Sequence, residues 1–273
     1  MMEKEPRYLV IPSAGLGTRM ESIEPNIPKE MLPVGNKPAI QYAVEEGMSA
    51  GIKHVVIIIN KQKEIIRKYF EDQKYGNKLF PFAAQKLEEI NSKCSIIFLY
   101  QKAPLGEADA ISLAANIIGE SPLAIIYPDN IYFPASEALN IIKPVFRQNK
   151  KDIIALITVS DESASAIGNS GRVDLLPIKN NLYRIEKQYT KGDGHFTPRF
   201  KRELRTCGFS IRNPHIFEYI ERARKLPIDG EFTDGPVNSL MLKDKELLGY
   251  RLTGNLFDIG NPQGYKRCLE HSS

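Results

Sequence analysis

Short runs of branched aliphatic residues alternate, up to residue 160, with longer segments in which apolar residues recur at helical spacing. The runs have the length and composition of buried strands and cover residues 8–12, 55–59, 96–100, 123–127 and 153–159. Residues 39–50, which end before Gly51, and residues 63–70 have the period of helices. Strands that alternate with helices predict an α/β fold with a mostly parallel sheet and crossover helices.

The pattern changes after residue 160. Residues 171–176 and 182–186 predict a hairpin around the turn at 179–181, and residues 206–211 predict a further strand. Residues 193–201 mix glycine, proline, threonine and basic residues without a period, which predicts a loop. The second half therefore predicts α+β additions to the sheet.

Residues 72–92 interrupt the strand and helix pattern of the first half. They are charged and irregular, and we expect them to leave the sheet as a solvated excursion or as part of an interface. The length of 273 residues fits one large α/β domain, which we divide at about residue 160 into parts 1–160 and 161–273.

Composition and charge exclude several classes of protein. The 37 basic against 33 acidic residues give a net charge of only +4, too small a bias to predict a nucleic-acid partner. Cys94, Cys207 and Cys268 lie far apart without disulfide or zinc spacing, which fits a reducing cytoplasm. The chain has no apolar run of membrane-spanning length and begins without the apolar core of a signal peptide, so we expect no membrane partner.

The most informative segment follows the first predicted strand and reads Ser13, Ala14, Gly15, Leu16, Gly17, Thr18, Arg19, Met20. Glycines at this place let the backbone turn tightly and direct its amide groups at an anion. Arg19 favours a triphosphate, because a guanidinium group matches phosphate oxygens. Met20 replaces the third glycine of a dinucleotide fingerprint, and no Walker A loop is present. On the glycines alone, a tight strand-to-helix turn is an equally good interpretation.

A second cation, Lys29, lies between two prolines in the sequence PKEMLP at residues 28–33. Together with GLGTRM at residues 15–20, this stretch resembles the signature of the sugar-1-phosphate nucleotidyltransferase family, and most closely its bacterial UTP:glucose-1-phosphate uridylyltransferase type. The match continues through residues 36–42. The resemblance implies a Rossmann-like, mostly parallel mixed sheet flanked by helices, with sugar-binding additions in the second half.

The resemblance also implies roles for the first two motifs. Arg19 and Lys29 would be the catalytic cations that grip the triphosphate of the nucleotide, and the loop residues would bind the nucleotide: Ala14, Gly15, Leu16, Gly17 and Thr18. The chain departs from the family at residues 21–25, where ESIEP replaces an LPxTK-like stretch. We expect this change to affect the dynamics of the loop and the affinity for the nucleotide.

A third segment, residues 101–108, follows a strand and opens a helix. It resembles the family's base-reading loop, which implies that Gln101 and Gly106 approach the pyrimidine edge. An amide can present both a donor and an acceptor to a uracil or thymine ring. A helix N-terminus preceded by Pro104 is the alternative interpretation.

Two aspartates are candidates for a metal site. Asp129 follows the strand at 123–127, at the edge where ligands bind in open α/β sheets, and its carboxylate suits Mg²⁺. Asp258, two residues before Gly260, resembles the family's second metal-binding aspartate, which implies that both acids converge on one Mg²⁺ ion. Each alone is more often a turn former or a helix cap.

The sugar side of the site is implied by Glu186 and Lys187, which resemble the family's V-E-K-P element although Gln188 replaces the proline. By resemblance, Glu186 binds sugar hydroxyls, Lys187 contacts the sugar phosphate and Gly171 lines the sugar pocket. A solvated charge pair at a strand end is the alternative. Residues 231–234 resemble the E-x-x-x-T-D element only loosely, and we assign them no role.

The resemblance therefore implies Mg²⁺-dependent attack by glucose 1-phosphate on the α-phosphorus of UTP, which gives UDP-glucose and pyrophosphate. The partners would be these small molecules, and a dimer or tetramer is expected. Two alternatives stay open. One is a dTTP-dependent thymidylyltransferase, since residues 127–131 resemble its G-D-N-I element; the other is a regulator that binds a sugar nucleotide without catalysis.

Overall fold

The computed structural model describes residues 5–20, 22–227 and 230–272. The strands are β1 Tyr8–Pro12, β2 Pro33–Val34, β3 Lys37–Pro38, β4 His54–Ile59, β5 Ser95–Tyr100, β6 Leu123–Ile126, β7 Asn130–Phe133, β8 Ile153–Thr158, β9 Val173–Lys179, β10 Leu182–Gln188, β11 Leu204–Arg212, β12 Leu248–Arg251 and β13 Asn255–Asp258. The helices are α1 Ala39–Ser49, α2 Glu64–Glu71, α3 Gln73–Leu79, α4 Ala84–Lys93, α5 Glu107–Ser112, α6 Ala115–Ile118, α7 Ala138–Asn149, α8 Asp161–Ala164, α9 Ile216–Ala223, α10 Asp234–Asp244 and α11 Pro262–Ser272.

Nine strands form one mixed sheet in the order β5-β4-β1-β6-β11-β8-β12-β10-β9. The strands β5, β4, β1 and β6 are parallel to one another, and Val10 of β1 pairs with Val56 on one side and Ile125 on the other. Successive side chains of β1 enter opposite cores: Leu9 and Ile11 pack in one cluster and Val10 in the other. Both faces of the sheet are therefore covered by other elements, as in α/β proteins. The expected α/β fold with a mostly parallel core is confirmed.

The second half adds antiparallel strands to this sheet. β9 and β10 form the expected hairpin, with Leu182 opposite Lys179, and Asn180 adopts a left-handed conformation in the turn (φ 46°). The predicted strand at 206–211 lies within β11, which joins β6 to β8 by antiparallel pairing. Residues 193–201 contain no helix or strand, as expected for a loop.

Residues 72–92 leave the sheet between β4 and β5, as expected, but they are not a solvated excursion, because they form α3 and most of α4, and α4 packs on the core. The side chain of Asp72 caps α3 by accepting a hydrogen bond from Tyr75 N at 3.1 Å. Leu87 and Ile90, three positions apart on α4, are buried in the main core, while charges such as Lys93 stay outside. The irregular look of the sequence came from these charges, which cover only the outer face of an amphipathic helix.

The described helices are too short or too polar to cross a membrane.

One small sheet positions the candidate site directly. β7 pairs with β13 in antiparallel register, with Asn130 opposite Asp258, and Ile259 N donates to Asp129 O at 2.8 Å. This pairing brings together two segments that lie far apart in the sequence.

Candidate active site

A cleft of about 740 Å³ opens at the carboxyl ends of β1, β5 and β6. Its walls come from the loops that follow these strands and from the segments 168–171, 191–195 and 258–262. This edge is where open α/β sheets bind their ligands. All the site residues expected from the sequence line the cleft except Glu186 and Lys187, namely Ala14, Gly15, Leu16, Gly17, Thr18, Arg19, Lys29, Gln101, Gly106, Asp129, Gly171 and Asp258.

The glycine-rich loop is anchored at its start and curls over Lys29. Ser13 N donates to Ile58 O at 2.7 Å, and Asn60 Nδ2 donates to Ala14 O at 2.7 Å. Gly17 has φ 72°, and a Cβ atom built there would lie 3.7 Å from the side-chain carbons Cγ and Cδ of Lys29. The loop therefore lies directly on the aliphatic stem of the lysine whose charge faces the cleft.

Lys29 is paired with Asp129. Its Nζ donates to Asp129 Oδ2 at 2.6 Å, and Asn130 Nδ2 donates to Asp129 Oδ1 at 2.9 Å. Burial acts to raise the pKa of Asp129, but the charge and hydrogen bond of Lys29 outweigh it and hold that pKa below its ordinary value. The pKa of Lys29 is raised for the converse reason, since Asp129 and Glu30 outweigh the effect of burial. Both groups are therefore charged at neutral pH.

Asp129 and Asp258 face the same point. A Cβ atom built on Gly260 would lie 2.9 Å from Asp129 Oδ2 and 3.0 Å from Asp258 Oδ1, so only glycine leaves the space between the carboxylates open. Asp258 is held in place by backbone amides, because its Oδ1 accepts from Gly260 N at 3.0 Å and its Oδ2 from Gly168 N at 2.9 Å. The two acids can therefore act together on one ligand.

This donor set suits Mg²⁺. Carboxylate oxygens are the hard ligands that Mg²⁺ prefers, and the ion takes its other ligands from water and substrate phosphates. In the residues that the structure describes, no group of three or more His, Cys, Asp or Glu side chains forms a complete metal cage. Two carboxylates at an open cleft fit an ion that keeps positions free for phosphate oxygens.

Arg19 reaches the same place from the glycine-rich loop. A Cβ atom built on Gly168 would lie 3.2 Å from Arg19 Nη1 and 3.4 Å from Asp258 Oδ2. The guanidinium of Arg19 and the carboxylate of Asp258 therefore both border Gly168. Two cations and two carboxylates meet on one side of the cleft.

The loop that follows β5 also lines the cleft and is tied to Phe232 by backbone hydrogen bonds. Gly106 has φ 113°, and a Cβ atom there would lie 2.4 Å from Phe232 O, so only glycine fits. Phe232 N donates to Leu105 O at 2.8 Å, and Ala108 N donates to Phe232 O at 3.0 Å. Gln101 is buried beside this loop and donates from Nε2 to Gly106 O at 3.0 Å.

Glu186 and Lys187 lie on β10, away from the lining of the cleft. Glu186 is exposed and forms an ion pair with Arg184, while Lys187 Nζ lies 4.3 Å from the ring centroid of Tyr189. The buried position on this part of β10 belongs to Gln188, whose Oε1 accepts from Asn238 Nδ2 at 2.9 Å. The neighbouring Gly171, in contrast, lines the cleft, with a built Cβ only 2.6 Å from Thr206 Oγ1.

Arg205, a cation on the wall of the cleft, was not predicted from the sequence. Arg205 is 2% exposed, and its Nη1 donates to Ser170 O at 3.2 Å. Its Nε is buried and has no hydrogen-bond partner among the residues that the structure describes. Burial lowers the pKa of Arg205, although Asp258 and Asp129 act against the shift. A basic residue inside an apolar strand was the available signal, but the predicted strand began one position after it.

Acidic side chains that were given no role also line the cleft. Burial, together with the nearby charge of Asp234, raises the pKa of Glu107 to about 7, and burial also raises the pKa of Asp234. Lys191 Nζ lies 3.5 Å from Glu231 Oε2 at the rim. The wall beyond the loop that follows β5 therefore carries two carboxyl groups with raised pKa values.

Cations at the carboxyl edge of an α/β sheet, where such sheets bind ligands, are suited to contact phosphate groups. The chain belongs to the nucleotidyl transferase family, whose sequence pattern matches residues 9–171. It is 27% identical to the UTP–glucose-1-phosphate uridylyltransferase of Bacillus subtilis (strain 168) over 267 residues, which cover 96% of this chain and 89% of that protein. It is 28% identical to the protein of the same name from Staphylococcus haemolyticus over 98% of this chain and 93% of that protein.

Solved structures give the same picture. A UDP-glucose pyrophosphorylase complexed with UDP-glucose is 28% identical to the chain, covers 97% of it and 98% of its own length, and superposes with a TM-score of 0.82. A UTP-bound UDP-glucose pyrophosphorylase from Acinetobacter baumannii covers 97% and 93% with a TM-score of 0.79, and at 24% identity it supports the fold alone.

Proposed function

We propose that this protein transfers a uridylyl group from UTP to glucose 1-phosphate, giving UDP-glucose and pyrophosphate. The observation that carries the proposal is the meeting of Arg19 and Lys29 with Asp129 and Asp258 in one cleft. The relatives that bear this activity in their names match over nearly the whole chain, which supports the choice of UTP and glucose 1-phosphate.

The reaction is a direct displacement at the α-phosphorus of UTP. A phosphate monoester has a second pKa of about 6, so the attacking oxygen of glucose 1-phosphate is already anionic at neutral pH and needs no general base. The obstacles are the repulsion between two polyanions and their alignment. Arg19 and Lys29, held by the glycine-rich loop and by Asp129, supply fixed positive charge on the nucleotide side.

Asp129 and Asp258 would hold Mg²⁺, which when bound neutralises charge on the phosphate oxygens. Both carboxylates are already held in position: two backbone amides donate to Asp258, and Asn130 and Lys29 donate to Asp129. A carboxylate that is already held in place loses little freedom when it gains a ligand.

Arg205 is our candidate for the group that receives the phosphate of the sugar. It lines the same cleft as Asp258 and Gly171, and Asp258 and Asp129 act on it through their charge without a hydrogen bond. Burial of the guanidinium is costly, and a phosphate that arrives with the substrate would compensate it by direct contact. Lys187 and Glu186 remain candidates from the resemblance alone, and both would have to turn from their present partners to reach the cleft.

Two further assignments belong to this proposal. Residues 1–160 would bind the nucleotide, with Gln101 and Gly106 at the base, and residues 161–273 would bind the sugar next to Gly171. The protein would work in the cytoplasm as a dimer or tetramer; the three described cysteines are free thiols, which suits a reducing compartment.

Pyrophosphate release tests the proposal. Purified protein with UTP, glucose 1-phosphate and Mg²⁺ should release pyrophosphate and form UDP-glucose, and release should stop when glucose 1-phosphate is omitted. Binding of UDP-glucose without pyrophosphate release would favour the non-catalytic alternative, and faster turnover of dTTP than of UTP would favour the thymidylyl alternative.

A further inference from the structure

The side chain of Gln101 has one orientation that satisfies its neighbours. Its Nε2 donates to Gly106 O at 3.0 Å and to Asp109 Oδ2 at 2.8 Å. Both partners are acceptors, so both amide hydrogens are used and the positions of Nε2 and Oε1 cannot be exchanged. Oε1 accepts no hydrogen bond from the residues that the structure describes. Gln101 therefore offers the cleft an acceptor and no donor.

Asp109 is fixed from its other side. Its Oδ1 forms an ion pair with Nη1 of Arg224, which follows α9, and the two side chains are only 12% and 35% exposed. The guanidinium of Arg224 also lies 5.4 Å from the ring centroid of Phe232. The backbone of Phe232 in turn holds Leu105 and Ala108, so one residue supports both the ion pair and the base-reading loop.

From these contacts we infer that Arg224 and Asp109 are positioning residues that lock Gln101 as a hydrogen-bond acceptor and thereby make the site select a base with an imide N–H. The inference rests on the proposed function, which places the base of the nucleotide at Gln101. Uracil and thymine carry an N3–H group that can donate a hydrogen bond to Oε1. N3 of cytosine is itself an acceptor, so its lone pair would face Oε1 unfavourably. The chain of contacts from Arg224 through Asp109 to Gln101 rejects cytosine and does not distinguish uracil from thymine.

A purely structural role is the competing explanation for the Asp109–Arg224 pair, since it joins α5 to the end of α9. The two roles differ in what they affect. If the pair is only structural, its loss lowers the stability of the protein and leaves the choice of base unchanged. If the pair orients Gln101, its loss changes the preference of the site between UTP and CTP.

The decisive variant is Asp109→Asn, which keeps the size of the side chain. The charged Arg224 attracts the single remaining oxygen of the new side chain more strongly than a neutral amide does, so the new NH₂ group faces Gln101. Gln101 then turns its own oxygen inward and presents Nε2 to the cleft for part of the time. Calorimetric titration with UTP and with CTP in Mg²⁺ measures the two dissociation constants. In Asp109→Asn the preference for UTP over CTP, given by the ratio of these constants, should be about 10-fold smaller than in the wild type.

Two further variants complete the test. Asp109→Ala removes the acceptor altogether and should lower the UTP preference in the same direction. Glu221→Gln is the matched control: Glu221 is an exposed partner of Arg224, with Arg224 Nη2 3.4 Å from its Oε1, and it does not contact Asp109, so the ratio should stay at the wild-type value.

The inference is overturned if the wild type binds UTP and CTP equally, or if Asp109→Asn and Asp109→Ala both keep the wild-type ratio. Because the readout is binding, it stays separate from the proposed activity. A wild type that prefers UTP but releases no pyrophosphate would remove the proposed function and leave the base selection intact.

Discussion

Lys29 Nζ and Asp129 Oδ2 lie 2.6 Å apart and join two loops that are 100 residues apart in the sequence. The pair couples the cation assigned to the triphosphate with the carboxylate assigned to Mg²⁺. Each group is the counter-charge of the other, so both can be held charged although their side chains are only 17% and 18% exposed. A substrate that brings phosphate groups offers Lys29 a second anionic partner without requiring it to become neutral.

Replacement of Lys29 by alanine tests this arrangement. Loss of one fixed charge from a preorganised site lowers turnover by a factor on the order of 10² or more. Lys29→Ala should show this loss in pyrophosphate release, whereas Lys61→Ala, which alters an exposed lysine, should keep the wild-type rate. A near-normal rate for Lys29→Ala would remove Lys29 from the mechanism.

Asp258 should be needed for metal binding. In Asp258→Asn one of the two anionic ligands is lost, and the affinity for a divalent ion should fall at least about 10-fold. Titration with Mn²⁺ in the presence of UTP, followed by electron paramagnetic resonance, measures the affinity without relying on turnover. Asp193→Asn is the control, since Asp193 is an exposed acid of the same cleft. Equal Mn²⁺ affinity in both variants would contradict the assignment of Asp258.

Arg205 and Lys187 can be separated by kinetics. We expect Arg205→Met to raise the KM for glucose 1-phosphate about 30-fold, the value of a hydrogen bond to a charged group, with little change in the KM for UTP. The variant should be as stable as the wild type or more stable, because burial of the guanidinium costs free energy. Should Lys187→Met raise the KM for glucose 1-phosphate instead, the phosphate contact belongs to Lys187.

Stability should depend on pH through Glu46. Burial raises the pKa of Glu46 from 4.5 to about 7, even though its Oε1 accepts from Leu139 N at 2.7 Å. The native state therefore holds a proton between these values that the unfolded state has released. Stability from this group is full below pH 4.5 and is lost as the pH rises through 7, by up to about 3 kcal/mol.

Urea denaturation between pH 5 and pH 8 measures this loss. Glu46→Gln keeps an oxygen for Leu139 N and should lack the decline in the free energy of unfolding, while the exposed Glu88→Gln should decline as the wild type does. Equal slopes for the wild type and Glu46→Gln would contradict the assignment.

How much of this could be predicted from the sequence depends on the distance over which a signal acts. The glycine-rich loop and Lys29 form one contiguous pattern, and the parallel strands follow from local runs of aliphatic residues. The meeting of Asp129 with Asp258 came only from a resemblance, because β7 and β13 are too short to be predicted and their pairing is not local. Arg205 was missed because the predicted strand began one position after it, and because no local pattern indicates that β11 borders the cleft.

Stereochemistry at the α-phosphorus tests the central claim most directly. In one direct displacement, the oxygen of glucose 1-phosphate would replace pyrophosphate, while the side chains of the cleft stabilise charge and position the substrates. A single diastereomer of UTP with sulfur on the α-phosphorus should therefore give a UDP-glucose analogue of inverted configuration. Retention of configuration would require two displacements through a covalent intermediate and would contradict the account.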